Sequence, residues 1–119
     1  MGRKMNIQKN EKLYNYKFKL IYELYLQKIK RKDHSKEELD KILTWLTGYE
    51  EFEAINEEVS LEQFFKDAPN INENAKLIKG VICGYRVEDI EDELTQKIRW
   101  MDKIVDELYK GKKTDKIMR

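Results

Sequence analysis

Apolar residues return at steps of three and four through most of the chain. Tyr14, Phe18, Ile21, Tyr22, Tyr25 and Ile29 fall on one helical face and predict a first long helix. Leu20, Leu24 and Leu26 widen that stripe, so this helix is expected to pack on more than one neighbour. Lys28 to Lys32 place cations near its carboxyl end, where the helix dipole favours them, and Asp33-His34 ends it. Ser35 with Glu38 three residues on reads as a capping box, and Leu39, Ile42, Leu43 and Leu46 supply the stripe of a second helix over about 36–46. Gly48 stands where a left-handed cap belongs, so Thr47-Gly48-Tyr49 predicts a tight turn into a short helix around 50–56.

Ser60 with Gln63 repeats the capping pattern ahead of Leu61, Phe64 and Phe65, and Pro69 stops that segment. Leu77, Ile78, Val81 and Ile82 fit one more helix, ended or kinked at Gly84. The last helix is the clearest: Leu94, Ile98, Met101, Val105 and Leu108 form a seam of two heptads, with Asp92 as its cap and Gly111 just beyond its end. No segment alternates as a strand does, and no internal repeat appears. The expected fold is all-α, a single domain over residues 1–119 built as a bundle of five to six helices with no β-sheet.

The composition suits a folded domain: 40% of the 119 residues are hydrophobic and 39% charged. No run approaches the roughly 20 apolar residues of a membrane span, and Met1-Gly2-Arg3-Lys4 leads into polar sequence, which points to a cytoplasmic protein. A lone cysteine closes no intramolecular disulfide. The net charge of +1 conceals a segregation, with ten Lys and Arg against two Glu in residues 1–32 and five against one Asp in residues 110–119, while the middle is acidic. Residues 1–12 and 112–119 are expected as flexible basic ends. Such ends are solvated, pair with the acidic body of the same or a neighbouring subunit, or meet an anionic partner.

Candidate chemistry concentrates between Gly80 and Asp92. Arg86 is placed to pair with Glu88, Asp89 or Asp92 and clamp the turn after Gly84, a bidentate role for which lysine is a poor substitute. The same acids are the best argument for catalysis. Glu88, Glu91 and Asp92, joined by Asp102 and Asp106, are candidate ligands for a divalent metal. Glu88-x-x-Glu91 is similar to half of the pattern of all-helical, magnesium-dependent nucleotide pyrophosphohydrolases, but Asp102 and Asp106 are spaced wrongly for the other half. Cys83 among Val81 and Ile82 reads as a packed thiol, with Arg86 as the nearest source of thiolate stabilisation. His34 lacks a histidine, cysteine or serine partner and reads as a surface turn residue. A helix-turn-helix around Thr47-Gly48-Tyr49 would present Glu50, Glu51, Glu53, Glu57 and Glu58 to phosphates, a poor DNA reader. Nucleic acid, if bound, would meet the basic ends and Tyr14, Tyr16, Tyr22 and Tyr25.

Trp45-Leu46-Thr47-Gly48-Tyr49, Phe64-Phe65, Ala68-Pro69, Gly80-Val81-Ile82-Cys83-Gly84 and Arg86-Val87-Glu88-Asp89-Ile90-Glu91-Asp92 together resemble a family of small bacterial proteins, domain of unknown function 2200. The resemblance runs from about Phe18 to Arg119 through Ile98-Arg99, Asp102-Lys103, Asp106-Glu107-Leu108 and Lys110-Gly111-Lys112. It implies a bacterial, all-helical domain and carries no assigned activity, cofactor or functional residue. The chain departs from the family pattern at Glu23 and Glu93, where proline is usual, and at Asp33-His34 in place of Gly-Arg. A proline at 93 would suit the first turn of the last helix. The leading expectation is a non-enzymatic interaction module, without a cofactor, that self-associates through apolar helix faces; a metal-dependent nucleotide phosphohydrolase and nucleic-acid binding by the basic ends are the alternatives.

Overall fold

A computed structural model describes residues 10–119. In chain order the elements are α1 (Glu11–Tyr14), α2 (Phe18–Lys30), α3 (Lys36–Thr47), α4 (Leu61–Lys66), β1 (Val81–Ile82), β2 (Tyr85–Arg86), α5 (Glu93–Tyr109) and α6 (Thr114–Ile117), with 3-10 turns at Phe52–Ala54, Glu73–Leu77 and Val87–Asp89. Helices dominate, as the periodicity predicted. The expectation of no β-sheet is corrected by a two-stranded antiparallel hairpin.

The core is one cluster into which every helix sends side chains. α5 runs through its centre: Ile98, Met101, Val105 and Leu108 of the heptad seam are buried, together with Ile104. α2 packs Phe18, Tyr22, Leu26 and Ile29 against it, and α3 contributes Leu39, Ile42, Leu43 and Leu46. An aromatic group fills one end, with the Phe18 and Phe64 rings stacked at 3.9 Å and Tyr49 on Phe64 at 4.6 Å. Among the described residues, no helix is long and apolar enough to cross a membrane.

The caps read from sequence have clear geometry. Ser35 and Glu38 form the reciprocal capping box of α3, Ser60 accepts from the Gln63 amide, and Asp92 accepts from the Thr95 amide so that α5 starts at Glu93. Gly48 ends α3 with φ 82°, and its lack of a side chain is doubly required. A Cβ there would lie 2.8 Å from the Asn70 nitrogen, because Asn70 and Asn72 donate to the carbonyls of Thr47 and Leu46 at 3.0 Å each.

Three local expectations give way. The expected first long helix is interrupted after Tyr14: the Tyr16 carbonyl accepts from Leu61 and the Phe18 amide donates to Val59, so the chain leaves the helix between α1 and α2. Glu23, where the family pattern has proline, lies inside α2. The helix expected at 50–56 is a 3-10 turn that buries Phe52, which removes the recognition helix of the helix-turn-helix reading. The helix expected through Val81 and Ile82 is a hairpin, because Gly80, Cys83 and Gly84 all have positive φ. Positive φ at both Cys83 and Gly84 matches the two-residue turn whose twist suits paired strands.

Of the two basic ends, residues 1–9 lie outside the described residues. Residues 112–119 are docked rather than free: α6 places Ile117 in the core, Arg119 pairs with Glu107 at 2.7 Å, and Asn74 donates to the Arg119 carbonyl at 3.0 Å. Burial of Ile117 outweighs the solvation that the surrounding lysines alone would favour.

Candidate functional site

The segment from Gly80 to Asp92 lies against α5 and distributes its acids among separate tasks. Glu88 Oε1 accepts from the Gly80 amide at 2.9 Å, which, with burial opposing, holds its carboxyl below the usual range. Its other oxygen is 3.6 Å from Arg86. The Arg86 side chain is 61% exposed, so the candidate clamp is a single contact near water, a kind of pair that contributes little. Asp89 is partly buried in the last 3-10 turn and Glu91 is exposed. Asp92 is turned to the start of α5, where its Oδ2 accepts from the Thr95 amide at 2.9 Å, from the Thr95 hydroxyl at 2.6 Å and from the Tyr14 hydroxyl.

The other two candidate metal ligands are also engaged. Asp102 accepts from Tyr25 and from Arg99, and Asp106 faces Lys28 at 3.5 Å and Lys110 at 3.1 Å. Burial raises the Asp106 pKa, but Lys110 and Lys28 together outweigh it and hold the group ionised below its usual range. Glu88, Glu91, Asp92, Asp102 and Asp106 therefore do not converge. Among the described residues no three His, Cys, Asp or Glu side chains are placed to hold a metal ion.

Cys83 is exposed at the hairpin tip, yet its surroundings raise the thiol pKa through burial of the sulfur's neighbourhood, with Arg99 pulling the other way. Its thiol is not activated. Three of the four tyrosines read as a stacking surface are buried, each donating its hydroxyl to an aspartate: Tyr14 to Asp92, Tyr22 to Asp40 and Tyr25 to Asp102. Only Tyr16 of the four is exposed.

One juxtaposition was not legible in the sequence. The carboxyl end of α2 and the residues after α5 meet at one pole of the molecule, around an open cleft of about 390 Å³ lined by Lys32, His34, Tyr109, Lys110 and Gly111. The ammonium groups of Lys28 and Lys32 sit over the Tyr109 ring, 5.1 and 5.4 Å from its centroid. Asp33, with φ 62°, makes the turn into this pole, and the His34 amide returns to the Ile29 carbonyl at 3.1 Å. The carboxyl end of the first basic segment and the start of the second are thus neighbours in space. No local motif signals this, because the pairing depends on how α2 packs on α5.

The arrangement defines a class: a small helical bundle built around one central helix, α5, with a hairpin and a basic pole. The chain belongs to the family of domain of unknown function 2200, described as an uncharacterized protein conserved in bacteria, whose model matches residues 12–119. It is similar to the crystal structure of uncharacterized protein SP1917, at 36% sequence identity over 94% of each chain with a TM-score of 0.84. None of the curated proteins matches. The family and this structural relative carry no assigned function.

Proposed function

We propose that the protein is a non-catalytic, cytoplasmic interaction module that pairs with a second copy of itself through the outer face of α2. One observation carries this reading. Leu20 and Leu24, one helical turn apart, are 57% and 51% exposed on the side of α2 away from Phe18, Tyr22 and Ile29. The α5 seam, the more obvious coiled-coil candidate in the sequence, is consumed by the core of the same chain, which leaves α2 with the outward leucine pair. The cytoplasmic assignment is supported by the lone cysteine and the charge-rich composition.

Energetics set the strength. Full burial of an exposed leucine contributes about 1.5–3 kcal/mol, and since Leu20 and Leu24 are already about half covered, a two-fold helix pair would gain about half of that from each of two leucines per copy. Set against an association cost of about 4–15 kcal/mol, that gives a weak pair. Gln27 and Arg31 share the outer face, so each copy brings to the pair a cation that is uncompensated among the described residues. Added salt screens the repulsion between these cations and strengthens the pair.

Sedimentation equilibrium across protein concentration tests the reading. The expected result is a reversible monomer–dimer equilibrium that tightens with sodium chloride and is abolished in Leu24→Glu. Monomer alone at millimolar concentration and high salt, or undiminished pairing in Leu24→Glu, overturns it.

A further inference from the structure

The basic pole gives a second, independent observation. Lys28 and Lys32 hold two ammonium groups over one tyrosine ring, and Lys110 lines the same cleft. Their nearby carboxylate is Asp106, shared between Lys28 and Lys110, and a second carboxylate, Glu38, lies 3.4 Å from His34 on the cleft wall. Among the described residues Lys32 has no ion pair, and the Tyr109 hydroxyl makes no hydrogen bond. Two α-helices end here, and the partial negative charge of their terminal carbonyls draws the lysines in without neutralising a full charge. The pole is therefore left with excess positive charge, a flexible donor on Lys32 and a phenolic donor on Tyr109. Gly111, with φ 98°, adds no side chain to the wall, and nothing lies within 4 Å of the place a Cβ would occupy.

We propose that this cleft binds the phosphate group of a small phosphate ester. A volume of about 390 Å³ is within the range of small-ligand sites. The chemistry suits a compact dianion: lysine serves phosphate as a mobile point charge, and the phenol adds a neutral hydrogen bond. A long polyanion is a poorer match, because Lys17, Lys36, Lys112 and Arg119, which do not line the cleft, are already paired with carboxylates of the same chain. The inference stands apart from self-pairing through α2, since it uses the carboxyl end of that helix and not the face bearing Leu20 and Leu24.

Amide chemical shifts of the full chain, followed during titration with inorganic phosphate, with AMP and with a short single-stranded oligonucleotide, provide the test. Saturable shifts with phosphate or AMP at Lys32, His34, Lys110 and Gly111 are expected. They should weaken about tenfold or more in Lys32→Ala, as loss of a charge-assisted hydrogen bond requires, and remain in Arg86→Ala. AMP binding more tightly than phosphate assigns a nucleotide-like ester, and equal binding assigns the phosphate alone. The proposal is overturned if neither small probe shifts these amides, if the shifts spread without saturating, or if Lys32→Ala binds as well as the parent. Binding of the oligonucleotide alone also overturns it and makes the pole a nucleic-acid surface. Because Lys32 is exposed, retention of the remaining spectrum separates a binding defect from misfolding.

Discussion

The Tyr25 hydroxyl donates to one oxygen of Asp102 while Arg99 Nη1 donates to the other at 2.8 Å. Arg99 also donates through Nε to the Tyr85 hydroxyl at 2.9 Å, so a single carboxylate ties α2, the hairpin and α5 together. Burial first, and then the Asp102 charge, raise the Tyr25 pKa well above its usual value. Removing Asp102 strands a phenol and a guanidinium whose side chain is largely covered. Asp102→Ala is expected to cost about 3 kcal/mol in urea denaturation and Tyr25→Phe about 1 kcal/mol. Equal losses would show that the Arg99 arm contributes nothing.

Asp92 joins α1 to α5 in the same manner. Its carboxylate caps the last helix and accepts the Tyr14 hydroxyl, whose pKa is raised by burial and by that bond. Asp92→Ala is expected to cost about 2 kcal/mol, roughly half from the cap and half from the stranded phenol. A double-mutant cycle with Tyr14→Phe should return a coupling of about 1 kcal/mol, and additive losses would separate the two roles.

These two networks show where reading the sequence succeeds. Helix periodicity and caps are local, so α3, α4 and the start of α5 follow directly from Ser35, Ser60 and Asp92. Roles set by contacts across the chain are not legible in this way. Asp102 and Asp106 look like spare acids until Tyr25 and Lys28 are brought alongside them. Val81 and Ile82 fit a helix by spacing, and only the backbone of Gly80, Cys83 and Gly84 decides for the hairpin. The basic pole has no local signature either, since Lys32 and Tyr109 meet only through the packing of α2 on α5.

Acid should weaken the fold through Glu88 and Glu38. Both have folded pKa values below the ordinary 4.5, chiefly because backbone amides of Gly80 and Ser35 donate to them. Depressed acids contribute stability that is present above pH 4.5 and lost as the pH falls through the lower folded values. Stability measured between pH 7 and pH 2 should therefore hold above about 4.5 and decline below it. Glu88→Gln should flatten that decline, whereas Arg86→Ala should change stability at pH 7 by less than about 0.5 kcal/mol. A loss for Arg86→Ala as large as that for Glu88→Gln would restore the arginine as the clamp of this turn.

Cys83 occupies a left-handed position, φ 53°, that suits asparagine or glycine better than cysteine. Cys83→Asn creates the Asn-Gly pair favoured in two-residue hairpin turns and is expected to raise stability by about 0.5–1 kcal/mol. Thermal melting checks this, and a lower melting temperature would mean that the sulfur packs more productively than its exposure indicates.

Glu107 shows what holds α6 in place. Its buried carboxylate is 2.7 Å from Arg119 and 3.7 Å from Lys112 through Oε2, while Oε1 has no hydrogen-bond partner. Arg119 also donates to the Ile117 carbonyl at 2.6 Å, so one side chain satisfies both the acid and the end of the helix. Arg119→Ala leaves a buried charge facing a more distant lysine and is expected to cost about 2–3 kcal/mol. Local opening should accompany that loss, with faster hydrogen exchange at Ile117 and Met118 than in the centre of α5. Adding Glu107→Gln removes the stranded charge and should recover part of the stability without restoring slow exchange. If exchange at Ile117 is unchanged in Arg119→Ala, apolar burial alone holds the segment and the ion pair is incidental.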